Sequence, residues 1–406
     1  VRRQAFSITN ILWALAVVFA LAWTVSGILP RQPSQVALRY FDAEHLSRAF
    51  RRATLGYLTS GLAALATFAA LYLFSRTSPF ASRFSGTVTP GGAAKMGLFL
   101  GVTASALFSA VRLPFSAYSG YILEKKFGLS RLTFGTWIAD YFKSAMLDLL
   151  AYGVGAAFLA WALVKMPRGW HIVATVAFLA ASVVLSTVYP LVIAPAFNKF
   201  HPLEDGAILE DVRSLSEAAG MDVERVLVME ASAKTTRVNA YFAGVGRTRE
   251  VVLYDTLIAG HSRPEIRLVI AHELGHWRYS HVNWGIVAST AGVFIALSLF
   301  RLFEMPGRAG RIGVRGFGSL EAVLISLLVF TVLFSYVTNP VSSFISRTFE
   351  VQSDAFSLAL TGDRDAFITG HVNLAKANLS DVEPPPFLRW FAWTHPTTLE
   401  RINSAK

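Results

Sequence analysis

The sequence predicts a predominantly α, polytopic membrane protein of about seven transmembrane helices that also carries a soluble α+β segment. Three observations lead there. Mean hydropathy is +0.47 and 53% of the 406 residues are hydrophobic, beyond an ordinary soluble composition. Runs such as Ile8–Leu29, Leu55–Phe74 and Val173–Ala196 contain no Asp, Glu, Lys or Arg, and roughly 20 apolar residues suffice to cross a bilayer as a helix. Between the apolar runs lies a polar stretch holding His272-Glu273-Leu274-Gly275-His276, a pattern that binds metal when it lies on a helix.

In chain order, hydrophobic segments fall near 8–29, 54–75, 95–117, 145–165, 170–196, 283–303 and 319–339. The first follows Val1-Arg2-Arg3, and Ala20 and Ala22 are spaced like a signal-cleavage site. Its apolar run is longer than most signal cores and further spans follow, which favours a retained helix. The net charge of +11 is dispersed among the spans, which suits loops near anionic headgroups rather than a basic nucleic-acid-binding face. The absence of cysteine excludes a disulfide framework and any Cys-ligated metal, so a metal here must use His and carboxylates. No long-period repeat or low-complexity segment stands out.

The expected organisation is residues 1–197 with five spans, a soluble segment 198–282, two further spans in 283–339, and a soluble tail 340–406. An even number of spans separates the two soluble pieces, so both emerge on one face of the membrane and can build one site. Within the first, Glu210–Ala219 reads as an amphipathic helix ending at Gly220, and Arg225–Met229 as a buried strand. Arg237–Gly246 followed by Glu250–Tyr254 resembles a hairpin, and Pro264 opens a helix through Trp277. Arg31, Arg39, Arg48, Arg51 and Arg52 in the first loop and Lys125, Lys126, Arg131 and Lys143 in the third slightly outnumber the basic residues of the other short loops, which weakly places the soluble part in the cytosol.

On that helix the i, i+4 spacing puts His272 and His276 on one face, where zinc can bridge them, while Glu273 can take a proton from a metal-bound water. A five-residue match also arises by chance, as two histidines on an amphipathic face. A catalytic zinc wants a third protein ligand, and the tail offers Glu350, with Asp354 one turn later placed to accept a hydrogen bond from a ligand histidine. A solvated surface carboxylate is the bland alternative for Asp354. A metzincin pattern fails, because Tyr279 and Val282 occupy the positions it needs and His281 is one residue out of register. An intramembrane metalloprotease, the runner-up, would carry its motif inside an apolar span, whereas Arg263, Glu265, Arg267 and Arg278 surround this one. In the tail, His395 could donate to a developing oxyanion and Arg401 could position it or the substrate. His45, His171, His201, His261, His281 and His371 have no ligand-spaced partners and are expected to play ordinary structural roles.

Segments along nearly the whole chain carry a resemblance: Leu113–Lys143, Tyr189–Gly206, Val238–Leu257, His272–His276, Glu350–Asp354 and Thr394–Arg401. The chain resembles the type I CAAX prenyl proteases, integral-membrane zinc metalloendopeptidases of the gluzincin class. The resemblance implies seven transmembrane helices forming a barrel around a water-filled chamber, with a zincin-like α+β domain holding one Zn2+ on the chamber wall. By position, His272, His276 and Glu350 would ligate zinc, Glu273 would activate water and Asp354 would orient a ligand. Asn239 and Ala240 would pair with an extended substrate, and His395 and Arg401 would assist at the scissile carbonyl. Two positions depart from the family pattern: His201 replaces a small polar residue, and Thr397 follows Pro396 where a second proline is common.

These readings predict a hydrolase acting on a peptide or protein substrate, prenylated or not, in contact with membrane lipids, as a monomer and without nucleic acid. A bacterial inner membrane or an endoplasmic reticulum would suit it. The alternatives are a quality-control zinc protease acting on unprenylated membrane-protein clients, and a non-catalytic membrane scaffold or transporter that kept the fold. A chamber would also accommodate Arg112, Lys143 and Asp148, which border or enter apolar spans.

Overall fold

The computed structural model describes residues 8–76, 89–221, 223, 225–243, 250–304 and 320–406. Arg2 and Arg3 of the signal-like start and Gly244 and Gly246 of the expected hairpin turn lie outside them. Among the described residues seven helices are long and apolar enough to cross a membrane: α1 (Ile8–Ile28), α2 (Ala43–Arg76), α3 (Pro90–Lys126), α4 (Phe134–Lys165), α5 (Trp170–Phe197), α8 (His281–Phe303) and α9 (Leu320–Val337). Each successive pair in that order packs together, and α9 returns against α1, so the helices close into a ring. Ring closure has local causes. Gly97 and Gly101 of α3, spaced by a helical turn, let the backbone carbonyls of Ala156 and Tyr152 in α4 approach where any Cβ would collide, as small residues do between membrane helices.

Several helices outrun their apolar cores. α2 has 34 residues and α4 has 32, roughly 50 Å each at 1.5 Å per residue, against a hydrocarbon core of about 30 Å. Both helices therefore exceed the length that a perpendicular crossing needs. Arg48, Arg51 and Arg52, read from sequence as loop residues, are therefore on the first turns of α2. Arg112 and Asp148 line a 170 Å³ cavity between α3 and α4 with Tyr141 and three serines of α3. Lys143 pairs with Asp140 and the carbonyl of Ala196.

The soluble part builds on a four-stranded sheet, β1 (Phe200–Pro202), β2 (Arg225–Met229), β3 (Ala240–Ala243) and β4 (Glu250–Tyr254), in the order β1-β2-β4-β3. β2 and β4 run parallel and β3 pairs antiparallel with β4, which leaves β3 at an edge. Around it lie α6 (Gly206–Ala218), α7 (Arg263–Arg278), α10 (Asn339–Thr361), α11 (Arg364–Ala377), α12 (Pro386–Ala392) and α13 (Thr398–Ser404). The expected helices and strands form among the described residues, with α6 starting four residues earlier, β3 confined to Ala240–Ala243, and Gly220 beyond α6 at φ +68°, a conformation glycine adopts without strain. Ser262 and Glu265 make a capping box that starts α7, and Asp211 of α6 holds Arg263 and Arg267. Leu253, Leu257, Ile270 and Leu274 are fully buried between sheet and α7.

Candidate metal centre

α7 brings His272, Glu273 and His276, and α10 brings Glu350 and Asp354. The two helices meet because Gly275 has no side chain: a Cβ there would lie 2.9 Å from Ser353 Cα. That close approach places Glu350, one turn before Ser353, opposite both histidines. His272 Nε2 and His276 Nε2 are 3.1 Å apart, and they stand 3.4 and 3.3 Å from the two oxygens of Glu350. Among the described residues these three form the group of donors able to hold a metal ion.

The donors fit a zinc ion. Atoms held 2.0–2.2 Å from zinc at tetrahedral angles are separated by about 3.3–3.6 Å, close to the spacings here. The chemistry agrees: two imidazole nitrogens converge with a carboxylate, and Glu350 Oε2 is buried with no well-aligned hydrogen bond although His395 Nδ1 is 2.8 Å away. A buried acceptor of that kind needs a cation or a proton. Burial alone would raise the Glu350 pKa, but the adjacent His272, His276 and His395 rings outweigh it and hold the carboxyl well below the usual range. Burial raises the Glu273 pKa, and the neighbouring histidines only partly offset it.

The remaining expected residues converge on the same point. Asp354 Oδ1 lies 2.9 Å from His272 Nδ1. Arg401 Nε donates to Asp354 Oδ2 at 2.8 Å, and Arg401 Nη2 is 3.8 Å from Glu350. Arg401 is thus committed to Asp354. Against the burial that raises it, the His272 hydrogen bond and the Arg401 charge bring the Asp354 pKa down to about 2. His395 is more than half exposed beside Glu350. Thr397, the unusual residue after Pro396, caps α13 in a capping box with Glu400 and so fixes the helix that presents Arg401. His201 is exposed on β1.

The edge of β3 is phased by its pairing. Tyr254 N–H donates to the Asn239 carbonyl, so Asn239 and Tyr241 turn their backbone groups to β4, while Val238, Ala240 and Phe242 turn theirs to the open side. Val238 is taken by the Asn378 side chain, which accepts from its N–H and donates to its carbonyl, and the Phe242 backbone interacts with Glu273. Among the described residues Ala240 is left as the strand's open pairing position, and Asn239 lines the adjoining cavity.

Two further residues meet at the site: His281, expected to play an ordinary structural role, and Gln352, which no motif marks. His281 Nδ1 is 3.0 Å from His276 Nδ1, and His281 Nε2 is 2.9 Å from Gln352 Oε1. With Gln352 accepting from Nε2–H, His281 Nδ1 is an acceptor, so His276 donates from Nδ1 and keeps its Nε2 lone pair for metal. The five-residue spacing of His276 and His281 is wrong for one helix face. α7 ends at Arg278, and Ser280, at φ +54°, turns the chain so that His281 comes back to the site. No sequence pattern announces that turn.

Residues 202–406 match the family model of peptidase family M48, and residues 47–199 match the model described as CAAX prenyl protease N-terminal, five membrane helices. CAAX prenyl protease 1 of Saccharomyces cerevisiae is 33% identical over 327 residues, covering 75% of this chain and 71% of the relative. Its homolog in Oryza sativa is 32% identical over 300 residues, covering 72% and 69%. The crystal structure of S. mikatae Ste24p superposes with a TM-score of 0.77 at 25% identity over the whole of both chains.

Proposed function

Because this chain belongs to the CAAX prenyl protease group of peptidase family M48, we propose that it is a zinc-dependent endopeptidase hydrolysing peptide bonds near the C-terminus of prenylated CAAX-type substrates. It is a multi-pass membrane metalloprotease. The single observation that carries the reading is the convergence of His272, His276 and Glu350 from two helices beside Glu273 and an open strand edge.

Zinc, when bound, supplies a Lewis acid that polarises the scissile carbonyl and acidifies water. His272 and His276 each present Nε2 to it, held in that tautomer by Asp354 and by His281, and Glu350 supplies the third donor. Glu273 removes the proton of the attacking water and returns it to the leaving amine, a task that its raised pKa suits. His395 donates to the oxygen that becomes negative, and Arg401 keeps Asp354 in place. Ala240 pairs with the extended substrate backbone as an added strand, with Asn239 contacting it from the side. We assign residues 1–197 and 283–339 to the membrane ring and 198–282 with 340–406 to the catalytic part, on the cytosolic face of an endoplasmic reticulum or bacterial inner membrane, in a protein that acts as a monomer.

The test is cleavage of a farnesylated CAAX peptide and its unprenylated twin by the purified protein, with and without a zinc chelator, alongside Glu273→Ala. Chelator-sensitive cleavage that Glu273→Ala abolishes supports the peptidase, and preference for the farnesylated peptide supports the lipid-substrate reading. Equal cleavage of the twin moves the protein to unlipidated clients, and cleavage of neither sinks the proposal.

A further inference from the structure

A cavity of about 630 Å³ runs from His395 and Arg401 at the metal centre, past Asn239, to a second group of charges formed by Arg52, Glu124 and Arg237. Arg52 comes from the surplus length of α2, Glu124 from the end of α3, and Arg237 from the approach to β3. One carboxylate serves both arginines. Arg52 donates from Nε and Nη2 to Glu124 Oε1, and Arg237 donates from Nε and Nη2 to Oε2. Arg52 Nη1 makes no hydrogen bond among the described residues, and each guanidinium has five N–H donors to place.

The other charges on this cavity are already matched. Asp381 accepts from Arg31 and from the Tyr57 hydroxyl, and Arg401 is paired with Asp354. The Arg52–Glu124–Arg237 group therefore carries an excess of one positive charge, most of it shielded from solvent: the three side chains are 21%, 15% and 33% exposed. Burial and the neighbouring Arg52 charge both depress the Arg237 pKa, which an added anion would relieve.

The strand edge gives the direction. A substrate that adds antiparallel to β3 at Ala240 runs opposite to it, so its C-terminal end points toward the residues before Ala240. There the Asn378 side chain occupies Val238 and closes the edge, and Arg237 Nη1 bonds the Asn378 carbonyl. Arg237 precedes Asn239 by two residues, about 7 Å of extended chain, and the three residues after the cysteine of a CAAX motif span about 10 Å.

Resting on the endopeptidase reading, we infer that Arg52 and Arg237 form a subsite for the free C-terminal carboxylate of the substrate, making the distance from scissile bond to chain end a specificity determinant. Arginine forks match a carboxylate's two oxygens. The subsite selects substrates by their chain end and sets the register in which the backbone lies on β3.

The experiment compares the farnesylated CAAX peptide as a free acid and as its C-terminal carboxamide. Cleavage is followed with the wild-type protein, Arg52→Gln and Arg237→Gln, and binding to Glu273→Gln is followed by fluorescence anisotropy. We expect the wild type to favour the acid by about 10- to 100-fold in kcat/KM, the range of a charge-assisted hydrogen bond. Each arginine variant should lower cleavage of the acid toward that of the amide while leaving the amide nearly unchanged. A purely structural role would depress both peptides alike. Equal use of acid and amide by the wild type, or an acid preference that survives both substitutions, overturns the subsite. If neither peptide is cleaved the endopeptidase reading fails, and binding to Glu273→Gln still decides: tighter binding of the acid keeps the subsite and equal binding removes it. The wild-type comparison stands even if the arginine variants do not fold.

Discussion

Replacing His281 with Phe isolates the contribution of the His276–His281–Gln352 chain to metal binding. The ring of His281 stacks on Phe349 with centroids 4.3 Å apart and 10° between planes, and a phenyl group of similar shape retains that packing. What is lost is the acceptor for His276 Nδ1–H, 3.0 Å away. His276 then has no partner holding its Nδ1–H tautomer and leaves a partly buried donor unpaired. Outer partners of metal-bound histidines are worth about 10- to 100-fold in affinity, or about 1.4–2.8 kcal/mol. The assay is zinc competition against a chelator of known affinity, with thermal unfolding of the metal-free protein run in parallel. Zinc affinity should fall by that factor while the unfolding temperature of the metal-free protein stays nearly constant. Gln352→Leu, which frees His281 to take either tautomer, should lose less. A zinc affinity within about twofold of wild type for His281→Phe would refute the relay.

Other outcomes follow from the same geometry. Glu273→Ala should retain zinc, measured by metal analysis after gel filtration, and lose peptide hydrolysis, because it removes the base and leaves all three donors; retained turnover would reassign the base. Glu350→Ala should lower zinc occupancy, since two donors remain, and full occupancy would mean the third ligand lies elsewhere. Gly275→Ala should force α7 and α10 apart at Ser353, costing about 1–3 kcal/mol of stability and weakening zinc retention; a wild-type unfolding temperature would contradict the close contact. With pH the signs are definite. Burial opposes protonation of His272, but hydrogen bonds to Asp354 and Glu350 win and lift its pKa to about 9 in the metal-free site. Below pH 9 zinc must therefore displace a proton, so apparent affinity falls as pH falls and calorimetry at pH 7.5 in two buffers should show proton release on binding. Glu273, raised by burial, loses its basic form as pH falls through its elevated pKa, so the acid limb of kcat/KM should lie above the ordinary 4.5 of a glutamate.

Much of the site was legible because its signals are local. Ser262, Pro264 and Glu265 start a helix, and i, i+4 spacing then places His272 and His276 on one face whatever surrounds them. The same spacing on α10 relates Glu350 to Asp354. Span counting was equally local, since crossing a bilayer depends on run length and charge within about 20 residues. That reasoning also put the two soluble pieces on one face, and α7 does pack on α10.

The set of elements and the donors each one carries follow from local signals, because hydrophobic period, caps and charge-free runs act over one or two turns. Tertiary structure alone decided that α9 closes the ring against α1, that Gly275 lets α10 come within reach of the histidines, and that Ser280 bends the chain to return His281 to His276. It also moved Arg52 from an expected loop to the rim of a helix facing Glu124 and Arg237. Each of these depends on contacts between residues distant in sequence or on a single backbone reversal. Periodicity carries no information about either, because the free energy that selects them comes from packing and ion pairing that exist only once the helices have met.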